Sequence, residues 1–290
     1  MRLFSCLLLL LLAFPPSAWA VELKPFKDEL FAYPGVISTS DGGRYVTVDY
    51  SEARDIDARD EVPERRVRRE YVSLGVRSQQ RDLRPTGTAG GVRHVAVGRD
   101  KGASLILLYL HGQGGSRRQG VDDFTFGGNF NRVKNLVAGA GGLYLSPDFS
   151  DFGETGAAEI AALIDFYAGR SPGAPVVVAC GSAGGGLCWE LAKSPEAAAK
   201  LDGLLLLGSF WDEGFLGSPA FRSRVPVFFG HGSRDKVFPL EKQAGFFRSI
   251  LKAAPDYPAR FAAFEGGTHG TPIRMTDWRD ALNWMLQAKP

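Results

Sequence analysis

Hydrophobic positions along the chain change rhythm near Gly102. Before it they come in short, interrupted runs. Residues 45–50 alternate apolar and polar as a half-buried strand does, and 67–77 and 92–97 are rich in β-branched residues, which predicts further strands. After Gly102 the apolar runs become continuous, at 105–110, 142–146, 175–179, 203–207, 225–229 and 259–264. Amphipathic or Ala-rich segments separate them, predicting helices over 130–138, 154–168, 184–193, 240–253 and 278–286. Short unbroken apolar strands alternating with helices belong in a sheet buried on both faces. The expected fold class is therefore α/β, a mostly parallel sheet flanked by helices. No repeat, low-complexity tract or linker interrupts the pattern, so 21–290 reads as a single domain whose first part, 21–102, is an N-terminal β-rich extension.

The first twenty residues follow a different logic. Met1 and Arg2 precede an apolar run over 3–14, Pro15 and Pro16 break it, and Ala18-Trp19-Ala20 supplies small residues around a cleavage point. That is the layout of a secretory signal peptide, with the mature chain beginning at Val21. The run is shorter than the roughly 18 apolar residues a membrane span needs. The expected location is outside the cytoplasm, periplasmic or secreted if the source is bacterial, with no integral span after cleavage.

Charge and composition narrow the partners. Thirty-four basic residues against 32 acidic ones leave a formal +2, without the basic excess of a nucleic-acid binder. An apolar content of 44% excludes a disordered chain. Charge is concentrated over 51–70, where both signs are so mixed that a solvated, self-paired face is expected. Of three cysteines, Cys6 lies in the leader, leaving Cys180 and Cys188. An oxidising compartment permits them to pair, provided their Cα atoms approach within ~7 Å; the other reading makes Cys180 a buried, close-packed thiol.

Candidate chemistry sits where the predicted strands end, since loops converge at the carboxyl edge of such sheets. Gly181-Ser182-Ala183-Gly184-Gly185 lies between a strand and a helix, a turn that would expose the Ser182 hydroxyl. Asp235 follows the strand over 225–229 in the stretch beginning His231-Gly-Ser-Arg, and His269 follows the last strand in a Gly-rich turn. A serine hydroxyl needs a histidine to take its proton, and that histidine needs a carboxylate to fix its tautomer. Only four histidines exist; His94 falls within a predicted strand, and His111 and His231 each begin a His-Gly turn. Metal-ligand spacings and a phosphate-binding loop are absent from the sequence. No metal or other cofactor is expected.

These motifs, in this order, resemble those of the α/β-hydrolase family over about residues 103–290. The resemblance implies Ser182 as nucleophile, Asp235 as acid and His269 as base. His111-Gly-Gln-Gly-Gly115 looks like the family's oxyanion loop, implying backbone donors at Gln113 and Ala183. Cys180 stands where the family's commonest elbow has glycine. Asp212 is a competing acid, at a position some members use. Only 209–224 lies where many hydrolases insert a lid, so no cap domain is expected. Phe210, Trp211, Phe215 and Phe221 in that segment suit either an acyl wall or core packing. Phe124, Phe126 and Phe130 lie close enough in sequence to border the same cleft. Arg117 and Arg118, just after the oxyanion loop, suit a substrate carboxylate or phosphate, or plain exposure. The implied activity is an exported serine hydrolase that cleaves an ester-type bond of a small-molecule or acyl substrate through an acyl-enzyme. The same triad also serves peptidases, thioesterases and lipases, and the same fold serves catalytically silent binding proteins.

Overall fold

The computed structural model describes residues 21–84 and 91–288; the expected signal peptide at 1–20 lies outside them. Its strands are β1 Val36–Ser40, β2 Tyr45–Asp49, β3 Asp60–Glu61, β4 Arg66–Val67, β5 Gln80–Leu83, β6 His94–Gly98, β7 Ile106–Leu110, β8 Leu143–Pro147, β9 Val176–Gly181, β10 Leu201–Leu207, β11 Val227–Gly232 and β12 Ala259–Glu265. Strands β3 and β4 form a small ribbon, and the others make one ten-stranded sheet in the order β1-β2-β12-β11-β10-β9-β7-β8-β6-β5. Pairing is parallel from β2 through to β8 and antiparallel only at the two margins.

Side-chain alternation explains why the central runs are apolar throughout. Ile106, Leu108, Val176 and Val178 point into one core layer, while Leu107, Tyr109, Val177 and Ala179 point into the other. The first layer is closed by the helices Glu154–Arg170, Gly185–Lys193 and Leu240–Ala253, which contribute Leu163, Leu187 and Phe247. The second is closed by the helices Asn129–Gly139 and Trp278–Ala288, through Phe130, Val133, Trp278 and Leu282.

The segment 21–102 supplies strands to both margins of this sheet. Strands β1 and β2 extend it beyond β12, and β5 and β6 extend it beyond β8. Because β2 runs parallel to β12, with Asp49 opposite Glu265, the chain leaving β2 emerges beside the loop that carries His269.

Two expectations need correction here, and one open alternative is decided. The stretch 67–77 contributes only the end of β4 and then forms 3-10 turns at Arg69–Tyr71 and Leu74–Gln79. Val72 and Val76 bury their side chains, and the Ser73 backbone bonds the Asn131 side chain on both sides instead of a neighbouring strand. The charged stretch 51–70 is not wholly solvated, since Asp55, Arg59 and Asp60 are buried. Asp60 forms an ion pair with Arg274, and Arg59 lies over the rings of Phe31 and Tyr71 while donating to the Gly127 carbonyl. Buried charges of this kind persist where both partners are hydrogen-bonded. Finally, Cys180 and Cys188 form a disulfide with Cα atoms 6.3 Å apart. The helix Gly185–Lys193 folds back along β9, so both cysteines face the same core layer.

Candidate active site

The turn after β9 is held open by contacts on three sides. Ser182 adopts φ 53°, a left-handed conformation that a non-glycine residue keeps only when its surroundings enforce it. Strands β7 and β9 pair with Leu110 opposite Cys180, so the loop after β7 passes directly over the turn. A Cβ on Gly184 would lie 2.7 Å from the carbonyls of both Leu110 and His111, and one on Gly112 would lie 2.7 Å from the Ser182 Cβ. On the third side the buried Ser209 hydroxyl donates to the Ser182 carbonyl at 2.8 Å.

The loops after β11 and β12 complete the arrangement. Ser182 Oγ lies 2.8 Å from His269 Nε2, and His269 Nδ1 lies 2.8 Å from Asp235 Oδ2. The carboxylate therefore accepts a hydrogen bond from Nδ1–H, which keeps the proton on Nδ1 and leaves the Nε2 lone pair facing the serine hydroxyl. Asp235 is fixed in turn by the N–H groups of Val237 and Phe238, which donate to Oδ1 at 2.8 and 3.1 Å. Burial opposes its ionisation, but His269 and those two N–H groups hold its carboxyl below the usual carboxylate range. The two loops are also tied directly: the Arg234 N–H donates to the Gly267 carbonyl, and the Ser233 hydroxyl accepts from the Gly266 N–H.

His231 adds a support that its position at the start of a His-Gly turn does not reveal. Fully buried, it donates Nε2–H to the Phe238 carbonyl at 2.8 Å and lies 3.5 Å from Asp235 Oδ2. Burial lowers its pKa, so it stays neutral and braces the 235–238 turn from beneath.

Gln113, expected as an oxyanion donor, is exposed in the loop beside Ser182, and its N–H donates to no other described residue. Ala183, the other expected donor, follows Ser182 in the turn. Aromatic rings border the triad. Phe238 stands 5.6 Å from the His269 ring and 5.6 Å from Phe210, and His111 stacks on Phe149 at 4.3 Å with Phe152 alongside. Phe149 and Phe152 follow the end of β8, so the strand-end rule would have found them.

Other expected residues are placed elsewhere. Arg117 is buried and its guanidinium is engaged by Asp82 and Asp148, at 2.9 and 2.8 Å, so it is a structural clamp and not a substrate group. Arg118 is exposed. Trp211 is partly buried against the core layer, Phe215 is fully buried and Phe221 stacks on Tyr257, which leaves Phe210 as the member of that group in the aromatic border. Among Phe124, Phe126 and Phe130, only Phe126 lies close to the His269 loop, 3.6 Å from where a Cβ on Gly270 would stand. Asp212 pairs with Lys193 and accepts from the Gly214 N–H, so it does not serve His269.

The sequence matches no family model and no curated protein, but the fold has many counterparts. The chain is similar to a protein of Thermus thermophilus at 21% identity and TM-score 0.52, over 72% of this chain and 98% of that one. It is also similar to a lidless serine hydrolase of Xanthomonas campestris, at 13% identity and TM-score 0.51 over 72% and 94% of the two chains. An esterase of Pyrococcus furiosus gives 15% identity and TM-score 0.50 over 72% and 92%. The fold is α/β-hydrolase-like, a mostly parallel sheet flanked by helices.

Proposed function

We propose that the protein is a serine hydrolase acting on carboxylic ester-type bonds. The observation that carries this reading is His269 standing 2.8 Å from both Ser182 Oγ and Asp235 Oδ2. In this reading Ser182 Oγ attacks the substrate carbonyl carbon while Nε2 takes its proton. The tetrahedral oxyanion lies against the Gln113 and Ala183 N–H groups. As the carbon–oxygen bond breaks, the imidazolium returns the proton to the departing alkoxide, leaving an acyl-serine and an alcohol. Water, deprotonated by the same nitrogen, then attacks the acyl-serine, and as the acyl–oxygen bond breaks the imidazolium returns that proton to Ser182 Oγ, releasing the acid. Asp235 stabilises the imidazolium in both halves.

A fluorophosphonate probe and a short-chain aryl ester test this together. The wild type should be labelled at Ser182 and turn the ester over; Ser182→Ala should lose both. An unlabelled wild type would mark a catalytically silent protein of this fold. A parallel panel of thioester and peptide substrates distinguishes the bond type. The reading includes export: the pattern of residues 1–20 and a disulfide between the two remaining cysteines both suit an oxidising compartment. Sequencing the N-terminus of the mature protein should find Val21 first.

A further inference from the structure

A cavity of about 370 Å³ opens beside the loop that carries His269. Its floor includes Thr268 and Gly270, the two chain neighbours of His269. Its outer wall comes from the extension, through Tyr50, Glu52, Glu64 and Arg65, and Phe126 closes one end. The parallel pairing of β2 with β12 brings Tyr50 out beside the His269 loop, and the buried Asp60–Arg274 ion pair pins the 52–65 stretch against it. Two of these residues, Arg65 at φ 54° and Phe126 at φ 48°, adopt the left-handed backbone conformation that Ser182 also shows. Strain of that kind collects where a side chain must be aimed.

The chemistry of the reaction fixes what lies in this direction. His269 Nε2 must come within hydrogen-bond reach, about 3 Å, of the leaving oxygen to protonate it. The group attached to that oxygen therefore runs over the His269 loop, and the cavity beyond that loop is where it goes. Resting on the hydrolase reading above, we propose that this cavity binds the alcohol half of the substrate and that this alcohol is a neutral polyol of sugar size.

The lining supports that class. Arg274 is neutralised by Asp60, and Arg65 lies 3.2 Å from Glu52, so no surplus of positive charge awaits an anionic group, and Glu64 is the lining carboxylate left to accept from a ligand hydroxyl. A carboxylate that only accepts, at Glu64, a guanidinium that only donates, at Arg65, and the hydroxyls of Tyr50, Thr268 and Thr271, which do both, match a ligand whose every hydroxyl donates and accepts. Phe126 adds an apolar ring to this lining, a surface suited to the C–H side of such a ligand. A volume near 370 Å³ is within the range of small-ligand sites.

The test holds the acyl group constant and varies the alcohol. Methyl glucopyranosides acetylated singly at O2, O3 or O6 are compared with cyclohexylmethyl acetate, of similar bulk, and with a choline ester. We expect kcat/KM for the best sugar ester to exceed that for the cyclohexylmethyl ester about tenfold or more, chiefly through KM. Glu64→Gln and Arg65→Ala, checked for folding by thermal melting, should each shrink that ratio severalfold. A cyclohexylmethyl or choline ester that matches or exceeds the sugar esters would overturn the proposal, as would variants that leave the ratio unmoved. Fluorophosphonate labelling of the same samples separates the two levels: labelled Ser182 without sugar preference sinks this inference alone, whereas absent labelling sinks the hydrolase reading beneath it.

Discussion

Asp235 and His269, 34 residues apart in sequence, share a 2.8 Å hydrogen bond in which the carboxylate is wholly buried and the imidazole is 30% exposed. The acid is thus a fixed reference and the histidine the part that meets substrate. Asp235→Asn keeps the shape but permits the opposite histidine tautomer, so kcat should fall by about three to four orders of magnitude. Asp212→Asn should change kcat little, because Asp212 serves Lys193 and the Gly214 N–H. Comparable losses in the two variants would overturn the assignment of the acid.

How much of this was legible in the sequence depends on where each interaction lies. The continuous apolar runs reveal a sheet buried on both faces, and strand ends with Gly-rich turns point to Ser182, Asp235 and His269, because those features are local. The ion pair of Asp60 with Arg274 is not local: 214 residues separate the partners, and nothing in the 51–70 stretch marks Asp55 and Asp60 as the buried acids among exposed ones. Arg117 misled for the same reason, since Asp82 and Asp148, which occupy its guanidinium, come from distant segments. The role of His231 was hidden because a His-Gly turn looks alike whether its ring faces solvent or core.

Acid should destabilise the protein in two stages. Burial depresses the pKa of His94, His111 and His231 in the folded state. The unfolded chain therefore binds more protons once pH falls below their ordinary value of about 6.5, and stability drops from there, by at most about 1.4 kcal/mol per pH unit per group. Asp235 is depressed too; its contribution is present above the ordinary carboxylate value of about 3.9 and is lost as pH falls through its lower folded value. Thermal melts between pH 8 and pH 5 should slope downward, and His94→Gln should flatten the slope. A flat wild-type profile across that window would contradict neutral, buried histidines.

The disulfide closes a short loop around the proposed nucleophile, with eight residues of separation. Replacing both cysteines by alanine should lower unfolding free energy by about 2–3 kcal/mol on loop entropy. Intact mass under non-reducing conditions should show the loss of two hydrogens relative to the reduced chain. Both sulfurs are buried, so reductant should act slowly on the folded protein. A double variant as stable as the wild type would mean the bond contributes nothing to holding the turn.

Asp60→Ala leaves the Arg274 guanidinium buried without its carboxylate, which should cost about 3–5 kcal/mol in urea unfolding. Pairing it with Arg274→Met should recover much of that loss, since removing both charges also removes the uncompensated one. Additive losses in the double variant would show that the two residues act independently and that the extension is not pinned through them.

Gly112 gives the sharpest test of how the oxyanion loop is held. A methyl group there would stand 2.7 Å from the Ser182 Cβ and 3.2 Å from its Oγ, closer than the folded chain allows. Its backbone does not need glycine's left-handed freedom, so the cost is the overlap itself, about 1–3 kcal/mol. What must give is the loop itself, which withdraws and takes the Gln113 N–H with it. Loss of one such donor lowers kcat by about two to three orders of magnitude. Gly112→Ala should therefore stay folded, with a modestly lowered melting temperature, while losing aryl-ester turnover and reacting slowly with the fluorophosphonate probe. Full activity in that variant would place the oxyanion donor elsewhere.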